Sequence, residues 1–188
     1  RLLSKKLKQK NNSYMKKVIF IIKSFFISQS LNELSSSGLI NIRRRNFIST
    51  TIYGNVCAFY HIDCKTFLEI ISKISPIQNL CQLLELISLS SEFSSFSPRK
   101  NENYELDRLA NIVPIPVKFS KKTKDFKVNV LVQSYIEIIF IKSESLQIDC
   151  SYICKKALKI SRIMFEISLL KKWANVTQLC INLYLAIK

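Results

Sequence analysis

The sequence predicts a mainly α-helical fold, in which a small helix-and-hairpin module is followed by a helical bundle cut off at its C-terminus. Three observations predict it. Apolar residues recur at alternating steps of four and three, most clearly at Ile153, Ala157, Ile160, Met164 and Ile167. Only one stretch, around 39–50, places two short apolar segments on either side of a basic connection. Chain-breaking residues are sparse, with two glycines and four prolines in 188 residues.

The elements follow in order. Residues 1–17 are basic and polar without a clear period. From Val18 the apolar positions 18, 19, 22, 25 and 26 predict a buried amphipathic helix. A second short helix is expected over 29–36, through Leu31 and Leu34, with Gly38 as its C-cap. "LINI" and "FIST" then flank "RRRN" and read as a hairpin. Helix, helix, hairpin is the order of a winged-helix module whose wing is Arg43–Asn46. Ser49 or Thr50 is suited to cap a helix over 51–61, and Asp63 one over 64–74. Pro76 interrupts the chain before a helix over 79–90, built on Leu80, Leu83, Leu84 and Ile87. A Ser-rich loop, 90–98, ends in Pro98. A helix over 102–112 leads into "VPIPVK", whose two prolines favour an extended crossing.

Residues 127–142 are rich in β-branched side chains, yet consecutive apolar residues break the period of two. Asn129, Gln133 and Glu137 recur every four positions, so the segment reads as a helix with a narrow polar edge. Asp149 is placed to cap a long helix over 150–171, and a last helix from about Asn175 still runs at Lys188. The expected division is a winged-helix-like remnant over 1–62 and an incomplete helical bundle over 63–188.

The net charge of +16 is uneven. Residues 1–62 carry +10, residues 63–118 carry −1 and residues 119–188 carry +7. Such clustering favours an anionic partner, with nucleic acid ahead of anionic lipid. On the helix over 150–171, Lys155, Lys156, Lys159 and Arg162 share one flank, and Tyr152 lies a turn earlier. At 1.5 Å per residue these cations span roughly 10 Å, the reach of two or three nucleotides of single strand. Tyr152 could stack a base, and Arg43, Arg44 and Arg45 could grip a phosphate backbone. The bland alternative is a solvated bundle face and a soluble turn.

Other chemistry is missing from the sequence. No Gly-x-x-x-x-Gly-Lys-Ser/Thr loop is present to cradle a nucleotide. His61 is the only histidine, set among apolar residues, and reads as a packed or hydrogen-bonded structural side chain. The six cysteines form no Cys-x-x-Cys pair, so buried reduced thiols are expected and no metal site. The run after Met15 imitates a signal peptide, but Lys23 splits it and no small-residue cleavage site follows. No segment reaches the ~20 apolar residues of a membrane span. Catalysis within these residues is not expected.

Five motifs add a resemblance. "STTIYGNVCAFYHID" (49–63), "LLELISLSSEF" (83–93), "PRKNENYELDRLANIVPIPVK" (98–118), "KVNVLVQSYI" (127–136) and "FEISLLKKWANVTQLCINL" (165–183) fall in the order and near-spacing of the Sec63 domain. That domain occurs in the Ski-type superfamily-two helicases, and the spellings "VPIPVK" and "WANVT" are most similar to the spliceosomal branch. The resemblance implies an accessory, strand-guiding region with no cofactor of its own. ATP and Mg would be bound by RecA-like domains elsewhere in the parent enzyme. The implied partners are single-stranded RNA, those RecA-like domains and spliceosomal proteins, without a membrane, and the implied location is the nucleus. The helix over 150–171 matches the ratchet helix of the family by order. The strand-touching Arg and Trp of archaeal relatives fall at Tyr152 and Lys159, so neither residue type is kept.

Three departures stand out. The family's Gly-Arg-Ile-Ala is Gly54-Asn55-Val56-Cys57, its Arg-Glu-Glu-Glu is Arg99-Lys100-Asn101-Glu102, and its Arg-Gly-Trp is Lys171-Lys172-Trp173. The second departure predicts a thinned acidic network. Two alternatives remain open: the activating-signal-cointegrator helicase, and an interaction module of the endoplasmic-reticulum translocon protein that shares the domain.

Overall fold

The computed structural model describes residues 20–43, 47–121 and 123–188. The chain divides into two compact units, Arg1–Asn55 and Val56–Lys188. The fold is mainly α, with one two-stranded antiparallel sheet ahead of a helical bundle.

In the first unit a single helix, α1, covers 20–36 where two short ones were expected. No Gly or Pro interrupts 20–36, so nothing in the sequence stops the helix at 27–28. The C-terminal stop is as expected. Gly38 takes φ +72°, its N–H donates to Ser35 O at 3.0 Å, and Leu39 N–H donates to Leu34 O at 3.0 Å. Strands β1 (Ile40–Arg43) and β2 (Phe47–Thr50) pair from Ile40 opposite Thr50 to Arg43 opposite Phe47. The apolar face of α1 is not buried as expected. Phe20, Ile21, Phe25, Phe26 and Ile27 are all exposed, because a two-stranded hairpin offers too little surface to cover them.

Helix α2 (Ile52–Phe59) is capped by Thr51, not by Ser49 or Thr50. Thr51 Oγ1 accepts from Gly54 N at 3.0 Å and donates back to Gly38 O at 2.8 Å, so the cap also closes the hairpin. Gly54 is required there, since a Cβ would stand 2.0 Å from Leu39 O. At the other end of α2, His61 is exposed with φ +48°. It ends a helix instead of packing in the core, as the sequence had suggested.

The bundle of the second unit is built from α3 (Cys64–Lys73), α4 (Leu80–Ser88), α5 (Asn103–Ala110), α6 (Lys124–Ile136), α7 (Glu144–Leu170) and α8 (Ala174–Ile187). Asp63 caps α3 as expected, accepting from Lys65 N, and Asn79 with Gln82 forms a capping box on α4. The helix expected over 102–112 is a single 3-10 turn, Lys100–Glu102, running into α5.

Helix α6 is the centre. Phe126 through Ser134 are all buried, and α4, α5, α7 and α8 pack around it. Asn129 and Gln133 of its polar edge therefore face protein, while Glu137, past the end of the helix, is exposed. Gln133 bridges the backbone of Ile115, accepting from its N and donating to its O at 3.0 Å each, which holds the proline segment extended. Gln133 also donates to Asn129 Oδ1 at 2.8 Å, and Asn129 donates to Ser88 Oγ at 3.1 Å. The helix ends at Ile136, six residues before the expected end. Ile138, at φ +53°, turns the chain: Ile138 N–H donates to Tyr135 O and Ile139 N–H to Ser134 O.

Helix α7 begins six residues earlier than expected, after Ser143. Asp149 is inside it and caps nothing, because its carboxylate is taken up by Lys127. The apolar stripe Ile153, Ala157, Ile160, Met164 and Ile167 is fully buried. Lys172, at φ +59°, closes α7, and Trp173 N–H donates to Ser168 O at 3.0 Å before α8 starts.

Candidate nucleic-acid interface

Helix α7 supplies the candidate site, and its position is fixed by buried charge. Lys127 Nζ on α6 lies 2.7 Å from Glu102 Oε2 and 2.7 Å from Asp149 Oδ2, with no exposure of the lysine or of Glu102. Arg99 Nη1 donates to Glu102 Oε1 at 2.9 Å, and Ser145 Oγ donates to the same oxygen at 3.0 Å. Arg99 N–H donates to Glu102 Oε2 at 3.0 Å. One glutamate thus gathers the 3-10 turn, α6 and the first turns of α7. Burial alone would raise the Glu102 pKa, but the hydrogen bonds from Lys127, Arg99 N–H and Ser145 outweigh it and leave the carboxyl below its ordinary value. Of the family's acidic run only Glu102 is kept here, and Asp149 on α7 is the second carboxylate facing Lys127.

A second carboxylate fixes the turn into α7. Arg108 grips Glu105 through two bonds, Nε to Oε2 at 3.0 Å and Nη2 to Oε1 at 2.7 Å. Glu105 also accepts from Lys142 N–H at 2.9 Å, and Arg108 donates to Phe140 O at 2.7 Å. The Arg108 hydrogen bond, together with Lys142 N–H, holds the Glu105 carboxyl below its ordinary pKa despite burial.

The expected site residues of α7 separate into two sets. Tyr152, Lys155 and Lys159 are exposed at spacings of three and four, forming one solvent-facing row about 10 Å long. Lys155 Nζ lies 5.7 Å from the centre of the Tyr152 ring, and neither Lys155 nor Lys159 is in an ion pair among the described residues. Lys156 and Arg162 are instead engaged by the protein. Lys156 Nζ donates to Glu92 O at 2.8 Å, pairs with Glu92 Oε2 at 3.3 Å and sits 5.8 Å from the centre of the Phe96 ring. Arg162 Nε donates to Tyr60 OH at 3.2 Å and Nη2 pairs with Glu166 at 3.3 Å, while the guanidinium stacks on Phe165 and Tyr184.

Arg43 is exposed at the end of β1, in the first unit. Arg44 and Arg45 lie outside the described residues.

Sequence reasoning missed the Lys127–Glu102–Asp149 cluster. The available signal was a lysine at the start of an otherwise apolar helix, "KVNVLVQSYI", with acids on two neighbouring elements to meet it.

All six cysteines are free, with Cys57 and Cys64 sulfurs 3.9 Å apart and Cys150 and Cys154 likewise. Burial, reinforced by Cys64, pushes the Cys57 thiol up to about 12, and burial pushes Cys180 up to about 11. No group of three or more metal-ligating side chains occurs among the described residues, and no helix of these residues is long and apolar enough to cross a membrane.

The sequence was compared with known proteins. Residues 50–188 match the model of the Sec63 Brl domain. Over 151 residues, 80% of the chain, it is 34% identical to an activating signal cointegrator 1 complex subunit 3-like protein of Dictyostelium discoideum. It is 33% identical over the same length to the U5 small nuclear ribonucleoprotein 200 kDa helicase of Drosophila melanogaster. The human U5 200 kDa helicase is 34% identical over 138 residues, 73% of the chain. The chain spans only 6–7% of the length of these relatives. With five motifs in order and a family model covering about three quarters of its residues, the chain belongs to the Sec63 Brl domain family.

Proposed function

We propose that this chain is the strand-guiding accessory region of an ATP-dependent RNA helicase, acting in pre-mRNA splicing in the nucleus. The observation that carries the reading is the exposed row Tyr152–Lys155–Lys159, two cations without an ion pair among the described residues and an aromatic ring, on a helix anchored by buried charge. A single strand would run along this face, with its phosphates against Lys155 and Lys159 and a base against Tyr152. Lys156 and Arg162 would contribute field from behind, since their own partners already hold them. Residues 20–50 would form the end of a winged helix, with Arg43–Arg45 at its wing. RecA-like domains elsewhere in the parent protein would bind ATP and Mg and perform the hydrolysis. The relatives support this reading by their names, which are those of RNA helicases and of a U5 small nuclear ribonucleoprotein component.

The test is anisotropy of a fluorescein-labelled single-stranded RNA titrated with the chain at several salt concentrations. Changing Lys155 and Lys159 together to Ala should weaken binding and reduce the salt slope by roughly 1.4, about 0.7 for each single-strand phosphate left without its lysine. In the whole helicase the same pair should slow unwinding while the chain keeps its melting temperature. Unaltered affinity and slope in the double variant would count against the site.

A further inference from the structure

The Ser-rich loop 90–98 is not used by the strand-guiding reading, and it ends in a distinctive local order: Ser97, Pro98, Arg99, Lys100. Ser97 is exposed, lies outside any helix or strand, and its hydroxyl has no hydrogen-bond partner among the described residues. Pro98 biases Ser97 towards extended backbone, and Arg99 continues extended at φ −91°, ψ 155°. An exposed serine outside any helix or strand, followed by proline and then by two cations, is what a proline-directed protein kinase can take into its cleft without unfolding a helix or strand. Ser94 and Ser95 are also exposed, but they sit in a turn and have no proline after them.

The surroundings give a phosphate somewhere to act. Arg99, two residues on, holds Glu102 and Asp149 at 2.9 and 3.6 Å with 54% of its side chain still exposed. Phe96, the preceding residue, lies beneath Lys156, which pairs with Glu92. A phosphoserine brings about −1.5 to −2 charges and three acceptor oxygens. At position 97 it would compete for Arg99 and Lys156 and would set negative charge beside the row that begins at Tyr152.

We propose that Ser97 is the acceptor of a proline-directed Ser/Thr kinase, and that its phosphate weakens strand binding at α7. In the transfer, Ser97 Oγ attacks the γ-phosphorus of Mg-ATP. The Oγ–P bond forms as the bond from that phosphorus to the β-bridging oxygen breaks. ADP leaves, and the hydroxyl proton passes to the kinase's carboxylate base. The effect on the strand rests on the function proposed above, whereas the acceptor assignment does not.

The chain is incubated with a proline-directed kinase and Mg-ATP, digested, and the modified peptide identified by mass spectrometry. One phosphoryl group on Ser97 is expected, absent from Ser97→Ala and acquired several-fold more slowly by Pro98→Ala. No incorporation, incorporation confined to other serines, or an equal rate on Pro98→Ala overturns the acceptor assignment. The phosphorylated chain should then bind labelled single-stranded RNA several-fold more weakly than the unmodified chain, while kinase-treated Ser97→Ala binds as before. Equal affinity in the two states overturns the coupling. A chain that binds no strand in either state sinks the strand reading and the coupling with it, and leaves the acceptor assignment to the mass spectrum.

Discussion

Lys127 Nζ and Glu102 Oε2 meet at 2.7 Å with neither side chain reaching solvent. The pair joins α6 to the turn before α5, and through Asp149 it also holds α7. Removing one partner leaves the other as an uncompensated buried charge, the costly way to break such a pair. Lys127→Met should destabilise the bundle by about 3–5 kcal/mol. Urea unfolding followed by circular dichroism measures it, and a loss under about 1 kcal/mol would show that the pair is dispensable.

The same carboxylates make stability depend on acid. Glu102 and Glu105 are both held below their ordinary pKa in the folded chain. An unfolded glutamate titrates near ~4.3, so between the two values the unfolded chain binds more protons. Stability contributed by these groups is complete above the unfolded value and is lost as pH falls through the folded one. Urea midpoints should hold from neutral pH down to about 5 and drop below it, and Glu105→Gln should flatten that drop. A midpoint that rises on acidification contradicts the assignment.

Lys172 occupies a left-handed position at φ +59°, where the family motif has glycine. A side chain there costs roughly 1 kcal/mol that glycine avoids, partly offset by glycine's greater unfolded-state freedom. Lys172→Gly should therefore be neutral to stabilising by up to about 1 kcal/mol. Ile138, β-branched at φ +53° and 91% exposed, should gain at least as much from the same change. Thermal melts of both variants decide it; a clear loss of stability in either would mean that the side chain itself supports the fold.

Gly54 faces the opposite constraint. Its Cβ would meet a backbone oxygen, Leu39 O, at 2.0 Å, and backbone cannot swing aside as a side chain can. Gly54→Ala should cost about 1–3 kcal/mol or more and should loosen the Thr51 cap on Gly38. Hydrogen exchange at Thr51 and Gly54 amides reports the loosening, and unchanged protection there would refute it.

Local signals in the sequence determined the helical class, the stop at Gly38, the hairpin, the cap at Asp63 and the buried stripe of α7. Each of these is written in a short local stretch, a side-chain period, a cap next to its helix or two apolar runs flanking one turn, so no distant partner is needed to read it. The five ordered motifs determined the family in the same way. Tertiary structure alone decided that Asp149 answers Lys127 instead of capping a helix, and that Lys156 and Arg162 are held by Glu92, Tyr60 and Glu166 while Lys155 and Lys159 meet no ion-pair partner among the described residues. Most of these partners stand tens of residues apart along the chain. Which cation of a basic helix faces water depends on what packs against each flank, and a periodic sequence leaves that choice to the neighbouring elements.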